Sequence, residues 1–306
     1  MVPFLPQPGV VDAIVVRGGN APAFSTPDLL IEIPHGATRT ADFTALEAQL
    51  RSPLPDALVD FFHVNTDAGA PELAEAVARR FVMGDPKRTA AIVRCRIPRT
   101  FIDCNRRIDA APEAFREGKV TPGLMPWITV PEDRALLRGL YDLYTASVRS
   151  AADAVMSRGG AMLMLHTYAP RSVDVEVDAD IVKNLRRAYE PEVFPTWPLR
   201  PELDVIGRGT DGAQYAPEAV VSALQEGVAT LGLTVADSAT YPMHPSTMAW
   251  NFAQAWQGRT LCLEVRRDLV ADPFEPFAEM TIGPDKVKAL AGPIADALRR
   301  WWPDGR

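Results

Sequence analysis

Histidine is scarce in this chain, with four in 306 residues, and the placement of two of them raises the first chemical expectation. His35 follows the short apolar run at 29–33 and sits between Pro34, which cannot continue a strand ladder, and Gly36, which frees the backbone. His166 follows the continuous apolar run at 161–165 with the same layout of strand, histidine and loop. Open α/β sheets place their ligand sites at the carboxyl ends of strands, so each imidazole is expected to face a crevice. Two histidines and a carboxylate suffice for a catalytic divalent metal that keeps a position open for water. The paired-histidine helix of the zincins is absent, so such a centre has to be assembled from separate strand ends. A hydrogen-bonded loop histidine is the plainer alternative for His35. His63 and His244 carry weaker positional arguments, and His244, in a stiff loop between Pro242 and Pro245, is expected to be structural.

The elements that must position these residues read as alternating strands and helices. Strands are expected at 10–16 (an edge strand), 29–33, 59–64, 90–95, 161–165, 233–236 and 260–266. Helices are expected at 42–50, from Pro71 with Leu73, Val77 and Phe81 on one face, at 131–158, at 217–231, from Ser246 as cap to Trp256, and at 284–302. Asp67 then lies in the turn before a helix amino terminus. The stretch 112–130 reads as a loop. Residues 170–212 are polar and rich in Pro and Arg, and read as an excursion over the active face. No linker divides the chain and no repeat is visible. The pattern predicts one domain over 1–306, with a mostly parallel sheet covered on both faces.

Composition excludes several functions. A formal net charge of -7, with no basic block, argues against nucleic acid as a partner. No run approaches the ~18 apolar residues of a membrane span. Residues 1–9 hold three prolines and no basic region, unlike a signal peptide. Cys95, Cys104 and Cys262 lack metal-type spacing and read as buried thiols in a reducing cytoplasm. A hydrophobic fraction of 47% allows a sizeable core. The 28 prolines favour stiffened loops over disorder.

Five short motifs occur in order along the chain: Ile33-Pro34-His35-Gly36-Ala37, Asn65-Thr66-Asp67, Arg99-Thr100-Phe101-Ile102-Asp103-Cys104-Asn105-Arg106, Leu165-His166-Thr167 and Leu263-Glu264-Val265. Together they resemble the N-formylglutamate amidohydrolase family, related in fold to zinc carboxypeptidases and succinylglutamate desuccinylase-type deacylases. The Asp-X-Asn-Arg element, Asp103 to Arg106, is the most specific of them. The resemblance implies a three-layer α/β/α sandwich with a mixed, largely parallel sheet, like the zinc-dependent exopeptidases. It also implies one divalent metal, zinc first, bound by His35 and His166. Thr38 stands where the glutamate of the carboxypeptidase His-X-X-Glu pair would be, so the third ligand has to come from elsewhere, and Asp67 is chosen.

Each remaining role has a physical argument and a plainer rival. Glu264 lies in an otherwise apolar strand, where an unpaired carboxylate is costly. It is expected to act as general base toward a metal-activated water, or else to pair with Arg266 or Arg267. Asn105 and Arg106 are expected to bind a substrate carboxylate. Asp103 is expected to orient an arginine. Arg99 would stabilise an oxyanion or lie solvated, and Asp67 could serve only as a helix cap. The function expected is metal-dependent hydrolysis of an amide bond in a small, carboxylate-bearing N-acyl amino acid. A metallocarboxypeptidase acting on peptides, or a binding protein of the same fold without catalysis, are the alternatives.

Overall fold

Apolar runs too continuous for a half-exposed strand form the centre of the molecule. The computed structural model describes residues 4–117 and 121–303. Among them, seven strands make one sheet: β1 (Val11–Arg17), β2 (Leu29–Ile33), β3 (Thr89–Cys95), β4 (Ala161–Tyr168), β5 (Leu203–Val205), β6 (Val235–Asp237) and β7 (Thr260–Arg266). Every residue of β2 and β4 is buried, as expected of central strands covered on both sides. The order is β1-β3-β2-β4-β7-β5-β6. The strands β3, β2, β4 and β7 run parallel, β1 and β5 pair antiparallel with their neighbours β3 and β7, and β6 runs parallel to β5. The sheet is therefore mixed and largely parallel.

Helices cover both faces. They are α1 (Thr40–Glu47), α2 (Val59–Asn65), α3 (Ala70–Gly84), α4 (Pro112–Glu117), α5 (Pro131–Met156), α6 (Ile181–Ala188), α7 (Glu218–Ala229), α8 (Met248–Ala255) and α9 (Pro284–Leu298). One core joins α3, α7 and α9 to the alternate strand residues Leu29, Ile31, Leu163, Leu165, Leu261 and Leu263. The other joins α1, α2, α5, α6 and α8 to Leu30, Met162, Met164 and Cys262. Three layers, α/β/α, result. No helix among the described residues is long and apolar enough to cross a membrane.

Four local expectations are corrected. Residues 59–64 are not a strand but lie in helix α2. A short apolar run fits either period, and the deciding feature is Leu58, Phe61 and Phe62 at i, i+3 and i+4, all buried. Phe62 packs on Phe43 at 5.4 Å and Phe61 on Trp127 at 5.7 Å. The segment 170–212, expected to hold no regular element, contains α6 and β5. Ile181, Val182, Leu185 and Ala188 give α6 a buried face, and β5 is only three residues long, too short to show a period. Thr247, not Ser246, caps α8 by accepting from the Trp250 amide, while the Ser246 hydroxyl meets His244 Nδ1 at 2.8 Å. The stretch 112–130, expected as loop, contains the short helix α4.

Candidate metal centre and active site

The residues expected to carry chemistry converge at the carboxyl ends of β2 and β4, which are parallel neighbours in the sheet. His35 stands two residues beyond β2 and His166 lies within β4, with ring centroids 5.1 Å apart. Asp67 comes from the turn between α2 and α3. That turn is tied down by three bonds: the Asp67 amide to His35 O at 3.4 Å, the Thr66 hydroxyl to Ala37 O at 2.5 Å, and the Thr167 hydroxyl to Ala68 O at 2.9 Å. Gly69 closes it in the left-handed region with φ 89°, and a Cβ there would lie 2.4 Å from Val270 Cγ2. Only glycine fits. Arg267, buried, donates to Val64 O and to Thr167 O, clamping the end of α2 to the end of β4.

Asp67 Oδ2 lies 3.2 Å from His35 Nδ1 and 3.0 Å from His166 Nδ1. One donor atom from each of the three buried side chains falls within 4.8 Å of the others. Ligands bonded at ~2.0–2.1 Å to a tetrahedral zinc stand about 3.3–3.4 Å apart, so this donor set suits such an ion. The tautomer suits it too. His35 Nε2 donates to Asp103 Oδ1 at 2.8 Å, which leaves the Nδ1 lone pair facing Asp67 and His166. That is the carboxylate–histidine arrangement that fixes metal-binding imidazoles.

The electrostatics run in the same direction. Burial alone would raise the Asp67 pKa, but the two histidines hold it far below the usual carboxylate range. Burial would lower His166, yet its contact with Asp67 carries it well above the ordinary histidine value.

Asp103 does more than orient an arginine. Fully buried, it accepts from His35 Nε2, from the Asn105 amide at 2.9 Å and from Arg99 Nη2 at 2.9 Å, with Arg106 Nη2 at 3.4 Å. Burial opposes its charge, but Arg106 and Arg99 keep it ionised, well below the normal range. Arg99 is not a solvated arginine. Its Nη1 lies 3.3 Å from His35 Nδ1, and its Nε is buried without a partner among the described residues. Arg106 donates from Nε to Thr121 O and from Nη1 to Asn105 O, so Nη2 is its least committed corner. Asn105 accepts the Ala249 amide on Oδ1, and its Nδ2 makes no hydrogen bond among the described residues.

Glu264 sits in β7 directly opposite His166 on β4. The alternative salt bridges are not formed: Arg266 pairs with Asp268 at 2.8 Å and Arg267 serves the two carbonyls above. Oε2 of Glu264 is buried with no partner among the described residues, and burial raises the pKa of the carboxyl despite the charge of His166. Glu32 was not anticipated as a participant. It lies in the middle of β2, takes a hydrogen bond from Tyr144 at 2.6 Å, and has its pKa raised by burial. Its signal was present, since Leu-Leu-Ile-Glu-Ile and Leu-Cys-Leu-Glu-Val are the same pattern of one carboxylate in an apolar strand.

With this geometry in hand, comparison with known proteins is informative. The family model described as N-formylglutamate amidohydrolase matches residues 28–271. The chain belongs to that family. An N-formylglutamate amidohydrolase from Ralstonia eutropha JMP134 superposes with a TM-score of 0.57 at 19% identity, over 95% of this chain and 99% of that one. The gene product Atu2144 from Agrobacterium tumefaciens gives 0.55 at 17% identity, over 95% and 94%. These likenesses speak for the fold alone. None of the curated proteins compared with the chain matches it. The motifs in which family membership was legible include the donor set around Asp67 and the Asp103 network.

Proposed function

We propose that this N-formylglutamate amidohydrolase family member is a metal-dependent hydrolase of small, carboxylate-bearing N-acyl amino acids, N-formyl-L-glutamate being the first substrate to test. One observation carries the reading: three buried metal-type donors converge beside a half-buried glutamate on the neighbouring strand, whose inner oxygen Oε2 has no partner among the described residues. His35, Asp67 and His166 would hold the metal, zinc being favoured by two imidazoles and one carboxylate. When bound, such an ion lowers the pKa of water and polarises a carbonyl. Glu264 takes the proton of the attacking water and returns it to the leaving amine, a task for which a raised pKa suits a carboxylate near neutral pH. Arg99 donates to the oxyanion. Its Nη1 lies 3.3 Å from His35 Nδ1, the atom that would hold the ion, which puts this donor beside the position a substrate carbonyl oxygen would take. Asn105 Nδ2 and Arg106 Nη2 together receive the α-carboxylate of the amino acid, a donor pair built from adjacent side chains.

The test is turnover of N-formyl-L-glutamate by protein whose metal content has been measured. The expected result is one ion per chain, hydrolysis in proportion to it, and loss on chelation with recovery on zinc addition. Full activity in protein that holds no metal, or no hydrolysis of any N-acyl amino acid by the zinc-loaded chain, would overturn the proposal.

A further inference from the structure

Arg267 and Arg171, at this end of the sheet, donate to backbone carbonyls. Arg99, Arg106 and Arg266 each have a carboxylate partner. Arg200 has none within ion-pairing distance among the described residues, although its guanidinium is firmly held. Nε donates to Ser172 Oγ at 3.1 Å and Nη2 to the Tyr241 hydroxyl at 2.8 Å. The guanidinium carbon lies 5.0 Å from the Tyr168 ring centroid and 5.5 Å from that of Tyr241. Its backbone is fixed as well, by the Arg200 amide to Pro170 O at 2.9 Å and by Arg266 Nη1 to Arg200 O at 3.1 Å. Nη1 makes no hydrogen bond among the described residues, and the side chain is only partly buried. Holding an arginine in one geometry forfeits rotamer entropy. A stacked, oriented cation without a counter-ion is what a carboxylate receptor looks like before its ligand arrives.

Its position relative to the centre can be read from the strands. Tyr168 follows His166 by two residues on β4 and so projects from the same face, about 6.6 Å further along. Glu264 and Arg266 repeat the relation on β7, in register with His166 and Tyr168. The charge of Arg200 is among those acting on Glu264. We propose that Arg200 is a specificity residue that receives a second carboxylate of the substrate, remote from the bond that is cut. From the scissile carbonyl carbon of an N-acyl glutamate to its side-chain carboxyl carbon there are five bonds, about 6 Å end to end. One pleat of strand, the step from His166 to Tyr168, matches that reach. The ligand class is therefore an acidic N-acyl amino acid, with its α-carboxylate on Asn105 and Arg106 and its side-chain carboxylate on Arg200. This assignment rests on the hydrolase reading for its reaction, but its ligand contact is testable without turnover.

The experiment is calorimetric titration of the zinc-loaded chain with L-glutamate and with L-glutamine, which differ only at the distal group. The wild type is expected to favour glutamate by tenfold or more. In Arg200→Gln the ratio is expected to fall to within twofold of one. Arg200→Lys keeps the stem and a point charge but loses the fork, so its ratio is expected between the two. It also carries the test if the Gln variant melts early. A wild type without preference or without binding overturns the proposal, as does a ratio unchanged in the Lys and Gln variants. Equal weakening of both ligands marks a structural brace and overturns it too. If N-acyl amino acids are not hydrolysed while the ratio still depends on Arg200, the hydrolase reading fails and the receptor stands. If N-acetylglutamate and N-acetylglutamine are cleaved with equal kcat/KM, the receptor fails and the hydrolase reading stands.

Discussion

Replacing Glu264 with Gln separates a catalytic carboxylate from a structural one, because the two roles move different observables. Glu264 faces His166 across the β4–β7 ladder, and its Oε2 lies out of water with no hydrogen-bond partner among the described residues. Glu264→Gln is nearly isosteric and removes only the capacity to accept and return a proton. The expected loss in kcat is roughly 10²–10⁴-fold, the usual share of a positioned base, or about 2.7–5.4 kcal/mol of barrier. Metal content should remain at one ion per chain. Stability should move the other way. The folded-state pKa is raised by burial. A carboxyl of that kind favours the fold below its unfolded pKa, and this contribution is lost as pH rises through the folded pKa. In metal-free protein at neutral pH the Gln variant is therefore expected to melt at the same temperature or about 2 °C higher, the shift for ~1 kcal/mol in a domain of this size. Below the unfolded pKa that advantage should vanish. The assay is one preparation of each protein, divided between metal analysis, turnover at saturating substrate and melting at acid and neutral pH. A lowered melting temperature with normal turnover by the folded fraction would falsify the catalytic role.

Two further substitutions probe the surroundings. Asp103→Asn removes the charge facing Arg99 and Arg106 and weakens the hold on His35 Nε2. It is expected to lower stability by about 3–5 kcal/mol and metal affinity by roughly 10–100-fold. Denaturant unfolding and zinc titration measure the two, and unchanged zinc affinity in a stable variant would refute the orienting role. Arg106→Lys is expected to raise KM for carboxylate-bearing substrates by roughly tenfold, equivalent to about 1.4 kcal/mol, because one Nη2 donor becomes a mobile ammonium. An unchanged KM, with neutral amides cleaved equally well, would contradict α-carboxylate binding there.

Much of this arrangement was legible before any coordinate. The runs at 29–33 and 161–165 are apolar without alternation, which implies burial on both faces, and a histidine just past each end is then held where parallel sheets place ligands. Glu264 was legible by the same logic, as a carboxylate that burial makes expensive unless it has a partner or a task. Helix α2 was misread because a run of six residues satisfies two periods, and only the packing of Phe61 on Trp127 and Phe62 on Phe43 selects one. Strand β5 escaped notice because three residues hold no period, and its place in the sheet depends on pairing with Glu264 and its neighbours in β7.

Sequence by itself determined which residue types are available for chemistry and which strand ends carry them, since local pattern and backbone restriction act over a few residues. Tertiary structure alone decided the partnerships. It brought Asp67 between His35 and His166, gave Asp103 to His35 as well as to two arginines, and, among the described residues, left Glu264 Oε2 without a partner. Those outcomes depend on distances between atoms far apart in the chain. The register of β4 against β7 and the clamp of Arg267 between α2 and β4 set them, and neither leaves a trace in local sequence.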